Sequence, residues 1–147
     1  MNGKQKEGGV VSFFENTRKP VGLGGKIMVV MMNFGHSAMA EWGLHFLQYA
    51  PDAMVLDCGC GGGANIKKLL QLCPKGKVQG IDYSAVSVEK ARKVNAGAIA
   101  EGRCNVQQAS VAELPFEAEQ FDVVTAFETI YFWPELAQNF REVYRVL

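Results

Sequence analysis

A chain of 147 residues, 48% hydrophobic and 20% charged, is long enough to bury a substantial core as one domain and has an ordinary globular composition. Its 15 basic residues balance 15 acidic ones, so charge offers no argument for nucleic acid or an anionic membrane as a partner. The most apolar run, residues 27–32, is far too short to span a bilayer and lies too deep behind charged residues to resemble a secretory signal, so the expected location is cytoplasmic.

Residues 1–9 are polar and glycine-bearing, and disorder is expected there. Residues 10–52 read as an amino-terminal helical lid. It opens with a short helix over 10–18, closed by Pro20 and the glycines after it, and a second helix over 26–34. A third follows Ser37, where Met39, Trp42, Phe46 and Tyr49 recur at a 3-4-3 spacing that marks one inward face. Pro51-Asp52 then breaks the chain. Residues 53–147 alternate regularly, with strands over 53–57, 77–82, 105–109 and 121–127 and helices over 64–72 and 85–98. A last helix carries Leu136, Phe140, Val143 and Leu147 on one face. Strand and helix alternating at this period predict βαβ units, hence an α/β, Rossmann-like domain built on a parallel sheet.

The first predicted strand ends in a carboxylate, Asp57, and glycines then occupy alternate positions, Gly59, Gly61 and Gly63. This pattern reads as a buried strand entering a tight turn before a helix, at the carboxyl end of the sheet where such folds bind ligands. Asp57 makes that mouth a poor host for a phosphate and a better one for a cationic or hydroxyl-rich group. A second acid, Asp82, ends the second strand, where it can accept hydrogen bonds from a ribose diol, and Tyr83 beside it offers a flat face for an adenine. Ser110 follows the third strand and Ala126-Phe127 ends the fourth, so four strand ends converge on one crevice. The spacing Gly59-x-Gly61-x-x-Ala64 with Asp82 also fits a dinucleotide fingerprint, but Asp57 sits where a pyrophosphate would approach, and no Gly-Lys-Ser/Thr of a Walker loop is present. The four cysteines, Cys58, Cys60, Cys73 and Cys104, form no Cys-x-x-Cys pair and read as buried thiols; no metal is expected.

Taken together, Asp57-x-Gly59-x-Gly61-x-Gly63, Gly80-Ile81-Asp82-Tyr83-Ser84, and Leu114-Pro115-Phe116 followed by Phe121-Asp122-Val123-Val124 resemble the ordered motifs of class I S-adenosylmethionine-dependent methyltransferases. The resemblance covers 55–147 and is similar in flavour to the small-molecule type, as in the ubiquinone and menaquinone biosynthesis methyltransferases. It implies S-adenosyl-L-methionine as cofactor, S-adenosyl-L-homocysteine as product, and methyl transfer to a small organic acceptor. It further implies that Asp57, Gly59, Cys60 and Gly61 meet the methionine part, Asp82 the ribose, Tyr83 and Ser84 the adenine side, and Ser110 and Val111 the adenine amino edge, with Ala126 and Phe127 at the fourth strand end. Where the family carries Asp, this chain has Ser110, which lacks the charge and equally suits a plain turn. Any proton acceptor would come from Glu128, Tyr131 or His36, although each also suits a structural role, and no catalytic residue is assigned. Two other readings remain: a cofactor-binding fragment without turnover, and an NAD(P)-dependent oxidoreductase.

The resemblance carries seven strands in the order 3-2-1-4-5-7-6, of which this sequence supplies the first four, so the chain reads as truncated after the fourth strand and its helix. A predicted apolar strand over 121–127 with no further neighbour would leave an open edge, for which a second copy is the expected partner, giving a homodimer through that edge or the final helix.

Overall fold

The computed structural model describes residues 37–147. The expectations for 1–9, 10–18, 26–34 and His36 fall outside them. The described elements are helix α1 (Ser37–Leu44), strand β1 (Met54–Cys58), α2 (Ala64–Leu72), β2 (Lys77–Asp82), α3 (Ala85–Val94), α4 (Ala96–Ala100), β3 (Cys104–Gln108), β4 (Val123–Thr125), a 3-10 turn (Ile130–Phe132) and α5 (Leu136–Val146). All four strands are parallel, in the order β3-β2-β1-β4, as the α/β reading requires.

Alternation along β1 explains why the sheet is covered on both faces. Val55 enters one cluster with Ile66, Leu69, Val78, Val88 and Val106, beneath α2 and α3. Leu56 and Cys58 enter the other with Ile81, Leu114, Phe121, Val143 and Val146, beneath α5. Each fully buried Val, Leu or Ile in these layers contributes roughly 1.5–3 kcal/mol relative to exposure. The strands therefore keep their carboxyl ends in register at one edge.

The outer strand is protected by a side chain. Arg103 O and Ala109 N bond inward to β2, so Val106 between them turns its carbonyl outward, and Arg92 Nε donates to it at 2.7 Å. Arg103 performs a comparable service at the other end of the sheet, donating to the carbonyls of Leu70, Cys73 and Gly76, the last turn of α2 and the loop behind it.

Several expected elements are corrected. Strands β1 and β3 each run one residue off, at Met54–Cys58 and Cys104–Gln108 rather than 53–57 and 105–109. The single helix expected over 85–98 is two, bent at Asn95, whose carboxamide reaches out of the helix to Gly63 O. The fourth strand is three residues, not seven. Phe121 instead donates its backbone N–H to Val146 O and packs edge-on against Phe116 at 4.9 Å, while Asp122 Oδ2 accepts from Met54 N. The long apolar edge expected over 121–127 is thus reduced to Val123–Thr125.

The inward faces of two helices also differ from expectation. In α5 the buried residues are Asn139, Val143 and Val146, whereas Leu136, Phe140 and Leu147 are largely exposed. Arg145 sets this rotation, because its guanidinium donates to Leu114 O and Phe116 O while pairing with Glu142. Helix α1 ends at Leu44, before Phe46 and Tyr49 of the predicted face; Ala40 and Leu44 are buried, Met39, Trp42 and Phe46 are exposed, and of that face only Tyr49, beyond the helix, packs against the core. Small residues let α1 come close: a Cβ on Gly43 would lie 2.9 Å from Cε1 of Phe127. A Lys68–Glu41 pair at 3.3 Å links α1 to α2 at the surface.

Candidate active site

The carboxyl ends of β1, β2 and β4 form a crevice around two carboxylates. Asp57 is fully buried, and in-register pairing of β1 with β4 places Thr125 beside it. Thr125 Oγ1 donates to Asp57 Oδ1 at 2.8 Å, while Asp57 Oδ2 has no hydrogen-bond partner. Burial pushes the Asp57 carboxyl up to about 6, the Thr125 hydrogen bond opposes the rise, and the charge of Asp82 adds to it. A buried carboxylate with one free oxygen is an incomplete arrangement, and a cationic donor would complete it.

The glycine loop folds over the end of β2. Gly59 N and Cys60 N both donate to Ile81 O, at 2.8 and 2.9 Å. Gly61 N donates to Asp82 Oδ2 at 2.9 Å, and Ser84 N donates to Asp82 Oδ1 at 2.8 Å. Asp82 therefore ties the loop to the start of α3, where Ser84 Oγ accepts from Ser87 N as the helix cap. Burial raises the Asp82 pKa, while these backbone donors and the Ser87 side chain restrain it. Each oxygen takes one backbone donor and the Ser87 side chain adds a third, which leaves room on the carboxylate for a ligand hydroxyl.

Gly59 has φ 74° and Gly63 φ 82°, a region L side chains rarely adopt. Crowding reinforces the requirement at Gly59, over which the Thr129 side chain lies. Cys60 is buried, with its sulfur 3.2 Å from where a Cβ on Gly80 would stand, and burial holds its thiol strongly protonated. Its backbone is engaged as well, the N–H by Ile81 O and the carbonyl by Gly63 N at 3.0 Å.

Around this centre the remaining expected residues fall on the same sheet edge. Tyr83 is 57% exposed, presenting its ring at the mouth, and its carbonyl accepts from Gln108 Nε2 at 2.9 Å. Ser110 Oγ accepts from Ala112 N at 3.2 Å, so the hydroxyl shapes a turn, and Val111 packs onto the α5-side core. Ala126 and Phe127 lie just past β4 on opposite core layers, with the Phe127 ring beneath α1. Glu128 adopts φ 54°, unusual for a residue with a Cβ, and its Oε2 accepts from Tyr131 Oη at 2.8 Å. Tyr131 is raised to about 12 by burial first and by Glu128 second.

Sequence reasoning missed Thr125, Gln108, Asn95 and Thr129. None belongs to a local motif, and each acts on a partner brought near only by sheet register or helix packing. All four cysteines are free and buried. Among the described residues no group of three or more His, Cys, Asp or Glu could hold a metal ion, and no helix is long and apolar enough to cross a membrane.

Comparison with known proteins bears on the same segment. A family profile described as a methyltransferase domain matches residues 55–147. A malonyl-(acyl-carrier protein) O-methyltransferase of Legionella pneumophila is 35% identical over 104 residues, 71% of this chain and 35% of that protein. A ubiquinone/menaquinone biosynthesis C-methyltransferase of Geotalea daltonii is 31% identical over 102 residues, 69% of this chain and 43% of that protein. The chain thus spans well under half the length of these relatives. The crystal structure of a SAM-dependent methyltransferase from Aquifex aeolicus superposes with a TM-score of 0.65 at 24% identity, over 73% of this chain and 57% of that one, a likeness of fold.

Proposed function

The chain belongs to the methyltransferase domain family, whose cofactor is S-adenosyl-L-methionine, and we propose that the crevice between the glycine loop and Asp82 binds that cofactor for methyl transfer to a small organic acceptor. The observation that carries this reading is Asp57: a fully buried carboxylate whose Oδ2 lacks a partner, at the strand end that opens into the glycine loop. S-adenosyl-L-methionine brings an ammonium and a sulfonium, and a pair of acids with no basic residue in the loop suits such a cation better than a pyrophosphate. The same comparison disfavours the NAD(P) reading.

In this assignment Asp57 Oδ2 takes an N–H of the methionine ammonium, while Gly59, Cys60 and Gly61, their N–H groups held by Ile81 and Asp82, form the surface against which the methionine part packs. Asp82 accepts a ribose hydroxyl on its remaining capacity. Tyr83 and Ser84 border the adenine, and Ser110 and Val111 lie at its amino edge, where the Val111 backbone substitutes for the charge that Ser110 lacks. Ala126 and Phe127 wall the crevice beneath α1.

The bound cofactor supplies an electrophilic methyl group for in-line displacement, so alignment and exclusion of water provide most of the rate. The protein's part is to fix the crevice walls and to receive a proton where the acceptor carries one. Of the pair past β4, Glu128 is the group able to take that proton, because the Tyr131 phenol is held protonated and donates to it. The left-handed backbone at Glu128 costs on the order of 1–3 kcal/mol, the kind of strain that accumulates at working sites. The relatives are named for O-methylation of malonyl-(acyl-carrier protein) and for C-methylation in ubiquinone/menaquinone biosynthesis, which supports an organic acceptor here.

Isothermal calorimetry tests the reading directly. S-adenosylhomocysteine should bind with a 1:1 stoichiometry and NAD should not, and Asp82→Ala should weaken binding by about 1.5–3 kcal/mol, the worth of hydrogen bonds to a charged group. Equal affinity of wild type and a folded Asp82→Ala variant would remove the ribose assignment.

A further inference from the structure

We infer that Asn95, which lies outside every motif of the crevice, is a positioning residue for the methionine end of the cofactor, acting by holding the Gly63 end of the glycine loop against α3. The inference rests on the crevice reading above and deepens it.

Three anchors from outside the glycine loop bear on its geometry. Ile81 O takes Gly59 N and Cys60 N, and Asp82 takes Gly61 N, so the first two anchors both come from β2. The third comes from the opposite end of α3. Asn95 is buried, and its Nδ2 donates to Gly63 O and to Ala91 O, both at 3.0 Å, which uses both of its N–H bonds. Packing at this point leaves no slack: a Cβ on Gly63 would stand 2.6 Å from Asn95 Nδ2 and 2.8 Å from Ala91 Cα.

The local backbone shows what this contact demands. Helical hydrogen bonds continue across the bend, from Asn95 N to Ala91 O and from Ile99 N to Asn95 O, both 3.0 Å, while Asn95 itself sits at φ −108° and ψ 20°. A good helix former at this position would favour one straight helix, whereas Asn is among the weaker ones. The helix therefore bends where its side chain meets the loop.

With its start fixed by Asp82 and Ser84 and its end by Asn95, the 10-residue α3 spans the site and sets the spacing between the two ends of the loop. Without the Asn95 carboxamide, Gly63 O loses the side-chain donor that ties this end of the loop to α3, while the β2 anchors at Gly59, Cys60 and Gly61 remain. The methionine end of the ligand, which meets the loop, should feel this loss. The adenosine end, which meets Asp82 and Tyr83, should not.

The experiment is calorimetry on the full chain with S-adenosylhomocysteine and, separately, adenosine, for wild type, Asn95→Ala, Asn95→Asp and Asp82→Ala. Asn95→Asp is isosteric but turns an oxygen toward both carbonyls. In the Asn95 variants the Kd for S-adenosylhomocysteine should rise about tenfold, one hydrogen bond's worth, with adenosine within about twofold of wild type. Amide exchange at residues 61–64 of the unliganded protein should accelerate while β2 exchanges as before, a readout available if one variant folds poorly. Equal weakening of both ligands, or unchanged affinity for S-adenosylhomocysteine, would overturn the role. Adenosine binding that survives Asp82→Ala would instead remove the orientation of the ligand, and the assignment of Asn95 to its methionine end with it.

Discussion

Replacing Asp57 by Asn should make the unliganded protein more stable and the liganded one weaker. The folded state raises this carboxyl from 3.8 to about 6, chiefly by burial. Above about pH 6 the group is ionised in both folded and unfolded chains, and the folded chain carries a buried charge. A rise of about two units corresponds to about 3 kcal/mol of lost stability there. As pH falls through 6 towards 4, the folded state takes up the proton first, and wild type recovers that stability. Asn keeps an oxygen to accept from Thr125, whose bond to Asp57 is 2.8 Å, and removes the charge. Asp57→Asn should therefore exceed wild type by about 2–3 kcal/mol at pH 8, with the gap closing between pH 6 and pH 4. Urea denaturation followed by circular dichroism at several pH values measures it. S-adenosylhomocysteine affinity should move the other way, falling by about 1.5–3 kcal/mol at pH 8 because the ammonium loses its charged partner. A gap that stays constant with pH, or an Asp57→Asn protein less stable than wild type at pH 8, would refute the argument from the buried charge.

Gly59→Ala places a side chain at φ 74° against Thr129, so thermal unfolding should show a loss of at least about 1–2 kcal/mol, together with weakened S-adenosylhomocysteine binding. Glu142 is held down to about 2 by the Arg145 guanidinium and the Leu114 amide, so its stabilising effect is present above about pH 4.5 and lost as pH falls towards 2. Glu142→Gln should accordingly lower the melting temperature at pH 7, with the difference shrinking below pH 4.5 and vanishing only below about pH 2. Pairing of two molecules through the β4 edge predicts a mass that rises with concentration in light scattering; a constant monomer mass over the dilution series would dismiss the dimer.

The elements that could be read from the sequence are those whose signal is local. Apolar runs ending in Asp57 and Asp82, with glycines between them, mark α2 and β2 to the residue and place the loop between two acids. What escaped depends on distant partners. Phe121 has the composition of a strand residue, yet its ring is taken by Phe116 and its N–H by the end of α5. The inward face of α5 includes Asn139, a polar residue that no hydrophobic periodicity selects, while Leu136 and Phe140 point away. Thr125 looks like any β-branched strand residue until the β1–β4 register sets it beside Asp57. Asn95 looks like one more residue of a single helix until Gly63 is beside it.

The guanidinium of Arg92 over the Val106 carbonyl gives the sheet a direction. At that margin an incoming strand would first have to displace a charged donor already seated 2.7 Å from the acceptor it needs. At the opposite margin β4 bonds to β1 and meets no other described strand. Any extension of this sheet is therefore polarised towards β4, beside Thr125 and the buried acid it serves, so a strand added there would adjoin the wall of the crevice. Joining another segment and shaping the ligand site are in that sense one event. The quantity to follow is whether S-adenosylhomocysteine affinity changes when that margin is covered.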